Sequence, residues 1–132
     1  PLAPGETWRV AIAAARLDSR DPLLGHKTTR RDAYAAARTE LPAERAEEMI
    51  LLNERGEACE GTITNVFADA GDGTLATPPL ACSLLPGILR EELLAAGRAT
   101  ERTLAPHDLR AAKALFVGNS LRGLIPARLV EA

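Results

Sequence analysis

The stretch from Glu48 to Phe67 limits the possible folds more than any other part of the chain. Met49, Ile50, Leu51 and Leu52 form an unbroken apolar run. Asn53-Glu54-Arg55-Gly56 follows as a turn, with a glycine available for a positive φ. Ala58 to Phe67 then reads as a second strand, so the whole segment predicts a β-hairpin. Alternation along that second strand puts Glu60, Thr62 and Thr64 on one face and Cys59, Gly61 and Ile63 on the other. A carboxylate on a polar strand face in apolar surroundings suggests a pocket wall. The same pattern also describes a strand face open to solvent.

The remaining elements fall on either side of this hairpin. Trp8 to Ala15 is an apolar run that predicts a buried strand, and Asp18 to Gly25 reads as a loop. Thr28 to about Leu41 predicts a helix, because Ala33, Ala36, Ala37 and Leu41 recur at helical spacing and Pro42 marks the exit. Asp69-Ala70-Gly71-Asp72-Gly73 is a turn without the acid spacing of a calcium loop. Thr74 to Thr77 is a short strand stopped by Pro78-Pro79. Ser83 to Arg90 runs into a helix ending near Gly97, with proline at its start and glycine past its end. Thr100 to Leu104 predicts a strand, and Pro106 to Arg110 a short helix. Ala114 to Val117 predicts a buried strand ending in the small polar loop Gly118-Asn119-Ser120. Leu124 to Val130 predicts a last strand, interrupted by Pro126. No internal repeat or low-complexity tract is visible.

Composition removes several classes of function. A chain of 132 residues fits one domain with a real core, and with aromatics at 3% that core must be aliphatic. A net charge of −2, with no basic face carrying aromatics, argues against a nucleic-acid partner. No run is long and apolar enough to span a membrane, and no signal peptide is present, so a cytoplasmic protein is expected. Cys59 and Cys82 lie in apolar settings and read as reduced, buried thiols. The opening Pro1-Leu2-Ala3-Pro4-Gly5 lacks an initiator methionine and reads as a linker, as in the second half of a longer protein.

The chemistry narrows by what is missing. There is no complete GxGxxG or GxxxxGK[ST] loop. His26 and His107 are far apart and have no CxxC or HExxH partner, so no metal site is expected. Ser83 and Ser120 lack a nucleophile-elbow context. Lys27 sits between the apolar loop Pro22-Leu23-Leu24-Gly25 and a helix start. A lysine amine becomes nucleophilic when desolvated or crowded by cations, and His26, Arg30 and Arg31 supply the second effect. The plain alternative is a basic helix entrance on the surface. Beside Lys27 stand Glu60 and two candidate anion cradles, at Pro86–Leu89 and Gly118–Ser120. The first is a helix N-terminus, where free N–H groups and the helix dipole favour an anion. An ordinary capped helix reads the same way.

Four blocks in this order resemble the fold-type IV pyridoxal-phosphate enzymes. They are His26-Lys27-Thr28-Thr29, Glu60 to Phe67, Leu85-Pro86-Gly87-Ile88-Leu89-Arg90, and Gly118-Asn119-Ser120 with Pro126 behind it. That family includes branched-chain and D-amino-acid aminotransferases and 4-amino-4-deoxychorismate lyase. The resemblance runs from about Trp8 to Val130. It implies an α+β fold, a mixed sheet or pseudo-barrel with flanking helices, and pyridoxal 5'-phosphate as cofactor. It also implies that residues 1–132 form one cofactor-binding domain, the C-terminal one. The family's N-terminal domain, which completes the site, would be absent, and a homodimer acting on a small molecule is expected.

Roles follow by resemblance. Lys27 matches the lysine that bonds to the cofactor and then moves protons. Glu60 matches the carboxylate paired with the pyridine nitrogen. Leu85 matches an apolar residue against the ring. Gly87, Ile88 and Leu89 match one phosphate cradle, and Asn119 with Ser120 matches the other. The family often has threonine where Leu89 stands, so backbone groups and Ser120 would carry more of the phosphate. Asn65 reads as structural. Where transaminases of this type carry a tyrosine near the cofactor's phenolic oxygen, this chain has Arg31, with Tyr34 three residues on. Arg31, the His-Lys-Thr-Thr opening and Asn119-Ser120-Leu121-Arg122-Gly123 look more like the lyases. The implied function is therefore conversion of 4-amino-4-deoxychorismate to 4-aminobenzoate and pyruvate, on the folate route. A class IV aminotransferase is the alternative, and a non-catalytic cofactor-binding remnant is a further one.

Overall fold

The computed structural model describes residues 6–20, 27–82 and 84–131, with backbone only for 27–30. The expectations for 1–5, for the loop residues 21–26 including His26, and for Ser83 lie outside the described residues. Strand β1 is Trp8–Leu17, followed by helix α1, Lys27–Arg38. Strands β2 (Glu48–Asn53), β3 (Ala58–Gly61), β4 (Asn65–Asp69) and β5 (Leu75–Thr77) come next. Helix α2 is Ile88–Ala95, β6 is Ala99–Glu101 and α3 is Pro106–Ala111. Strands β7 (Ala114–Asn119) and β8 (Gly123–Leu129) end the chain.

The eight strands among the described residues lie in one mixed sheet of order β3-β2-β1-β8-β7-β4-β5-β6. That order dictates a curl. β3 and β4 are neighbours in sequence but lie five inter-strand steps apart, which in a flat sheet is about 24 Å. The chain from Gly61 to Asn65 reaches at most about 14 Å. The six strands from β3 to β4 must therefore wrap round until their edges meet. The meeting is visible as a hydrogen bond from Gly61 N–H to the Thr64 carbonyl, 2.8 Å. The pseudo-barrel expectation is met.

Side chains follow from the curl. Trp8 and Val10, Ile50 and Leu52, Ala58, Val66, Leu115, Val117 and Ile125 point inward and fill one core, closed at one end by Leu104 and Leu109. The opposite face of β1 and β2 presents Ala11, Ala13, Met49 and Leu51 to Ala37 of α1. A third cluster, Phe67, Leu75, Leu93 and Ala99, lies under α2. β1 has a parallel neighbour on each side and core on both faces, so its centre, Val10 to Ala15, is an apolar run without alternation.

Three expectations change. The second arm of the hairpin is not one strand: β3 pairs with β2, residues 62–64 bend, and β4 pairs with β7. The sixth strand stops at Glu101, and Leu104 instead plugs the curl while its carbonyl accepts from Ala58 N–H. β8 is not interrupted by Pro126, because its ladder with β1 starts only at Ala127. Cys59 and Cys82 are both buried and unbridged. Burial first, and the Glu57 carboxylate second, push the Cys82 thiol up, so it stays protonated near neutrality.

Candidate active site

Glu60 owes its direction to a fault in the sheet. The β2–β3 register pairs Leu52 with Ala58 and Leu51 with Glu60, so Cys59 is an extra residue, a β-bulge. Leu52 and Ala58 face the inner core, whereas Leu51 and Cys59 belong to the core beneath α1. Glu60, opposite Leu51, is turned to the α1 side. Strict alternation from Ala58 would have sent it into the curl. On the α1 side it is 5% exposed. The Tyr34 hydroxyl donates to its Oε2 at 2.5 Å, and Leu85 N–H donates to its Oε1 at 3.3 Å.

The bend after Glu60 is built by a second carboxylate. Glu48 is fully buried at the start of β2. Its Oε1 accepts from the N–H of Met49 and from the N–H and hydroxyl of Thr62, at 2.6–2.9 Å. Its Oε2 accepts from Ile63 N–H and the Thr64 hydroxyl, at 3.0 and 2.9 Å. These bonds break the strand pattern at 62–64, which leaves Thr64 buried and Ile63 exposed and ends the expected alternation. Position 61 has no room for a side chain unless its neighbours shift, because a Cβ there would lie 2.4 Å from Thr64 Oγ1 and 2.6 Å from Glu48 Oε2.

Two further segments complete the walls. Asn65 Nδ2 donates to the Leu85 carbonyl at 3.2 Å, and a Cβ on Gly87 would lie 2.3 Å from Asn65 Oδ1. The segment leading into α2 is thus seated directly on β4. Gly87 gives α2 no capping side chain, and among the described residues the first-turn N–H groups are available to an anion. Glu91, the acid of that turn, is paired with Arg90. Across from it, Asn119 Nδ2 donates to the Ile63 carbonyl at 3.0 Å and Asn119 Oδ1 accepts from Arg122 N–H at 2.9 Å. The turn carrying Ser120 is thereby tied to the Glu48 bend.

These groups share a cleft of about 220 Å³, lined by Tyr34, Glu60 to Asn65, Leu85 to Ile88, Asn119 and Ser120. Of the residues expected from sequence, Glu60, Leu85, Gly87, Ile88, Asn119 and Ser120 meet there. Lys27 opens α1, and its side chain lies outside the described residues. Arg31 is exposed and does not line the cleft. The Leu89 side chain packs against β7, within 2.8 Å of where a Gly118 Cβ would be, so only its backbone N–H can serve the cleft. Tyr34, Glu48, Thr62 and Thr64 were not foreseen in these roles. Tyr34 had a signal: it stands seven positions after Lys27, on the same helix face. Glu48 had none, since an acid at the start of an apolar run reads as a solvent-side strand end. A hollow of about 390 Å³ among α3, β7 and β8 is larger, but its charged residues Arg110, Lys113 and Glu131 are all exposed.

The donor set fits a phosphorylated pyridine. A buried carboxylate lies in the cleft to meet a protonated ring nitrogen, and uncapped N–H groups with Ser120 border it to meet a phosphate.

Comparison with known proteins supports this chemistry. A family model described as amino-transferase class IV matches residues 2–130. The structure of a Mesorhizobium loti protein, named provisionally as an amino-acid aminotransferase, is 62% identical, with a TM-score of 0.94 over 98% of this chain and 63% of that one. The 4-amino-4-deoxychorismate lyase of Pseudomonas aeruginosa is 27% identical, with a TM-score of 0.80 over 93% of this chain and 47% of its own. A Synechocystis protein, named provisionally as a branched-chain-amino-acid aminotransferase, is 27% identical over 98% of this chain and 44% of its own length. The chain spans 29% to 44% of the length of the first curated relatives it matches.

Proposed function

This chain belongs to the class IV aminotransferase family, a family of pyridoxal-phosphate enzymes, and from that premise we propose that it is the cofactor-holding part of an enzyme working at the amine-bearing carbon of an amino acid. The observation that carries the reading is the bulge at Cys59, which turns a buried carboxylate into the cleft beside the uncapped start of α2. Bound there, the cofactor supplies an aldehyde for amine capture and an electron-poor ring that accepts charge when a bond at the neighbouring carbon breaks.

The chain's own residues do the rest. Glu60 holds the proton of the ring nitrogen. The N–H groups of Ile88 and Leu89, with Asn119 and Ser120, hold the phosphate. Leu85 covers a ring face and excludes water from it. Lys27, at the first position of α1, would supply the amine that holds the cofactor's aldehyde, and would hold and move a proton as base and acid. Ile63, Ile88 and Leu121, at 58%, 66% and 86% exposed, suit a covering surface. The rest of a longer chain or a second copy would provide it.

Amino-group transfer is the favoured outcome, supported by the names of the relatives. This puts first the alternative that the sequence put second. The lyase reading is supported by the Asn119–Gly123 string and by the likeness to the Pseudomonas lyase. Pyridoxal phosphate followed by borohydride is expected to add the reduced cofactor's mass to the Lys27 peptide of the full chain. Absence of that mass, with no cofactor uptake, sinks the proposal. Pyruvate and 4-aminobenzoate from 4-amino-4-deoxychorismate without a keto acid select the lyase. Exchange between an amino acid and a keto acid selects the transferase.

A further inference from the structure

We infer that Tyr34 is a positioning residue for the cofactor site, its hydroxyl locking the helix that begins at Lys27 onto the Glu60 carboxylate. The inference rests on the cofactor reading above. α1 lies on the sheet largely through alanines: Ala37 is fully buried and Ala33 partly so, with Tyr34 packed partly buried beside them. An alanine surface has few ridges, and ridges are what fix the angle and slide of one element on another. Directional bonds must do that work here: Arg38 ties the C-terminal end of α1 to the Glu47 and Ala46 carbonyls, and the Tyr34–Glu60 bond supplies the tie nearer position 27.

Helical geometry gives the bond its consequence. Seven residues are nearly two full turns, so positions 27 and 34 share a face about 10 Å apart along the axis. Fixing Tyr34 against Glu60 therefore fixes where the face carrying position 27 stands relative to the same carboxylate. Glu60 is held from the other side by Leu85 N–H, so its plane is set by α1 and by the segment entering α2 together. Lysine and carboxylate, the two groups that engage the cofactor in the proposed reading, are placed in one frame by a phenol at the wall of the same cleft.

Tyr34→Phe keeps the ring and deletes only the hydroxyl. A hydrogen bond to a charged group is worth about ten-fold in an equilibrium constant, so pyridoxal phosphate should bind the full-chain variant roughly ten-fold more weakly. The absorption band of the bound cofactor should titrate at a shifted pH, and borohydride trapping at Lys27 should slow. Glu54→Gln, which weakens the contacts to Ser19 and Arg55 at the β2–β3 turn away from the cleft, is the control for lost stability and should leave affinity and titration unchanged. Wild-type affinity and titration in Tyr34→Phe overturn the inference, as does an equal loss of affinity in Glu54→Gln. A wild-type chain that takes up no pyridoxal phosphate refutes instead the reading beneath it.

Discussion

Replacing Glu48 by glutamine removes one acceptor oxygen from a site that uses two. The surviving oxygen is best kept at the Oε1 position, where three donors converge. The new amide then faces Ile63 N–H and the Thr64 hydroxyl. The hydroxyl can rotate and accept, but the N–H cannot. Ile63 is 58% exposed, so water softens that loss to the low end of the usual range, about 1 kcal/mol. The three remaining bonds now go to a neutral oxygen, which takes roughly 0.5–1 kcal/mol from each. The sum is about 3 kcal/mol, a large part of a typical stability of about 5–15 kcal/mol. At a urea slope of about 2 kcal/mol/M the unfolding midpoint should fall by roughly 1.5 M. Circular dichroism across a urea series, compared with wild type, reads it directly. Thr64→Val in the same background should add less than it does alone, since its acceptor is already disturbed. A midpoint within about 0.3 M of wild type would show that something other than this carboxylate holds the 62–64 bend.

Other perturbations probe separate parts of the molecule. Gly61→Ala forces a Cβ to within 2.4 Å of Thr64 Oγ1; it should destabilise by about 1–3 kcal/mol, and an unchanged urea midpoint would contradict the packing described. Glu60→Ala should keep the far-UV spectrum and lower turnover roughly a hundred-fold or more; near-wild-type turnover would remove Glu60 from the chemistry. Acid should loosen the fold through four carboxylates. Glu54 is held at about 2 by hydrogen bonds from Ser19. Asp18 is lowered by Arg20, Glu47 by Arg9 and Glu57 by Asn53. Depressed values stabilise above the unfolded carboxylate range and stop doing so as protons bind, so the urea midpoint should be flat above about pH 5 and fall from there toward pH 2. A midpoint unchanged between about pH 6 and pH 3 refutes this.

Much of the fold could be read from local signals. The apolar runs of β1, β2 and β7 announced strands, and Pro86 with Gly97 bracketed α2 within a residue or two. The features that aim the site could not be read that way. Ala58 to Phe67 has strand character throughout, and the break at 62–64 is imposed by Glu48, distant in sequence, through hydrogen bonds that composition does not reveal. The bulge at Cys59 adds one residue against the partner strand, and no pattern within β3 announces it. Local periodicity had put Glu60 on the correct strand without showing which side of the sheet it would serve. The cleft residues Leu85, Gly87, Ile88, Asn119 and Ser120 were named in advance by resemblance. Tyr34 lines the cleft, whereas the resemblance points to Arg31, which the helix turns to solvent.

The splice between β3 and β4 leaves no slack. It joins two sheet edges across residues 62–64, with Glu48 bonded to each of the three. A single residue inserted there would either pry the cylinder open or rotate Glu60 away from Tyr34. The hairpin tip at Gly71–Gly73, exposed and far from any seam, would absorb the same insertion as slack. Chain length at the splice is thus a ruler, and any redesign of this scaffold has to treat it as fixed while the opposite turns stay free to vary.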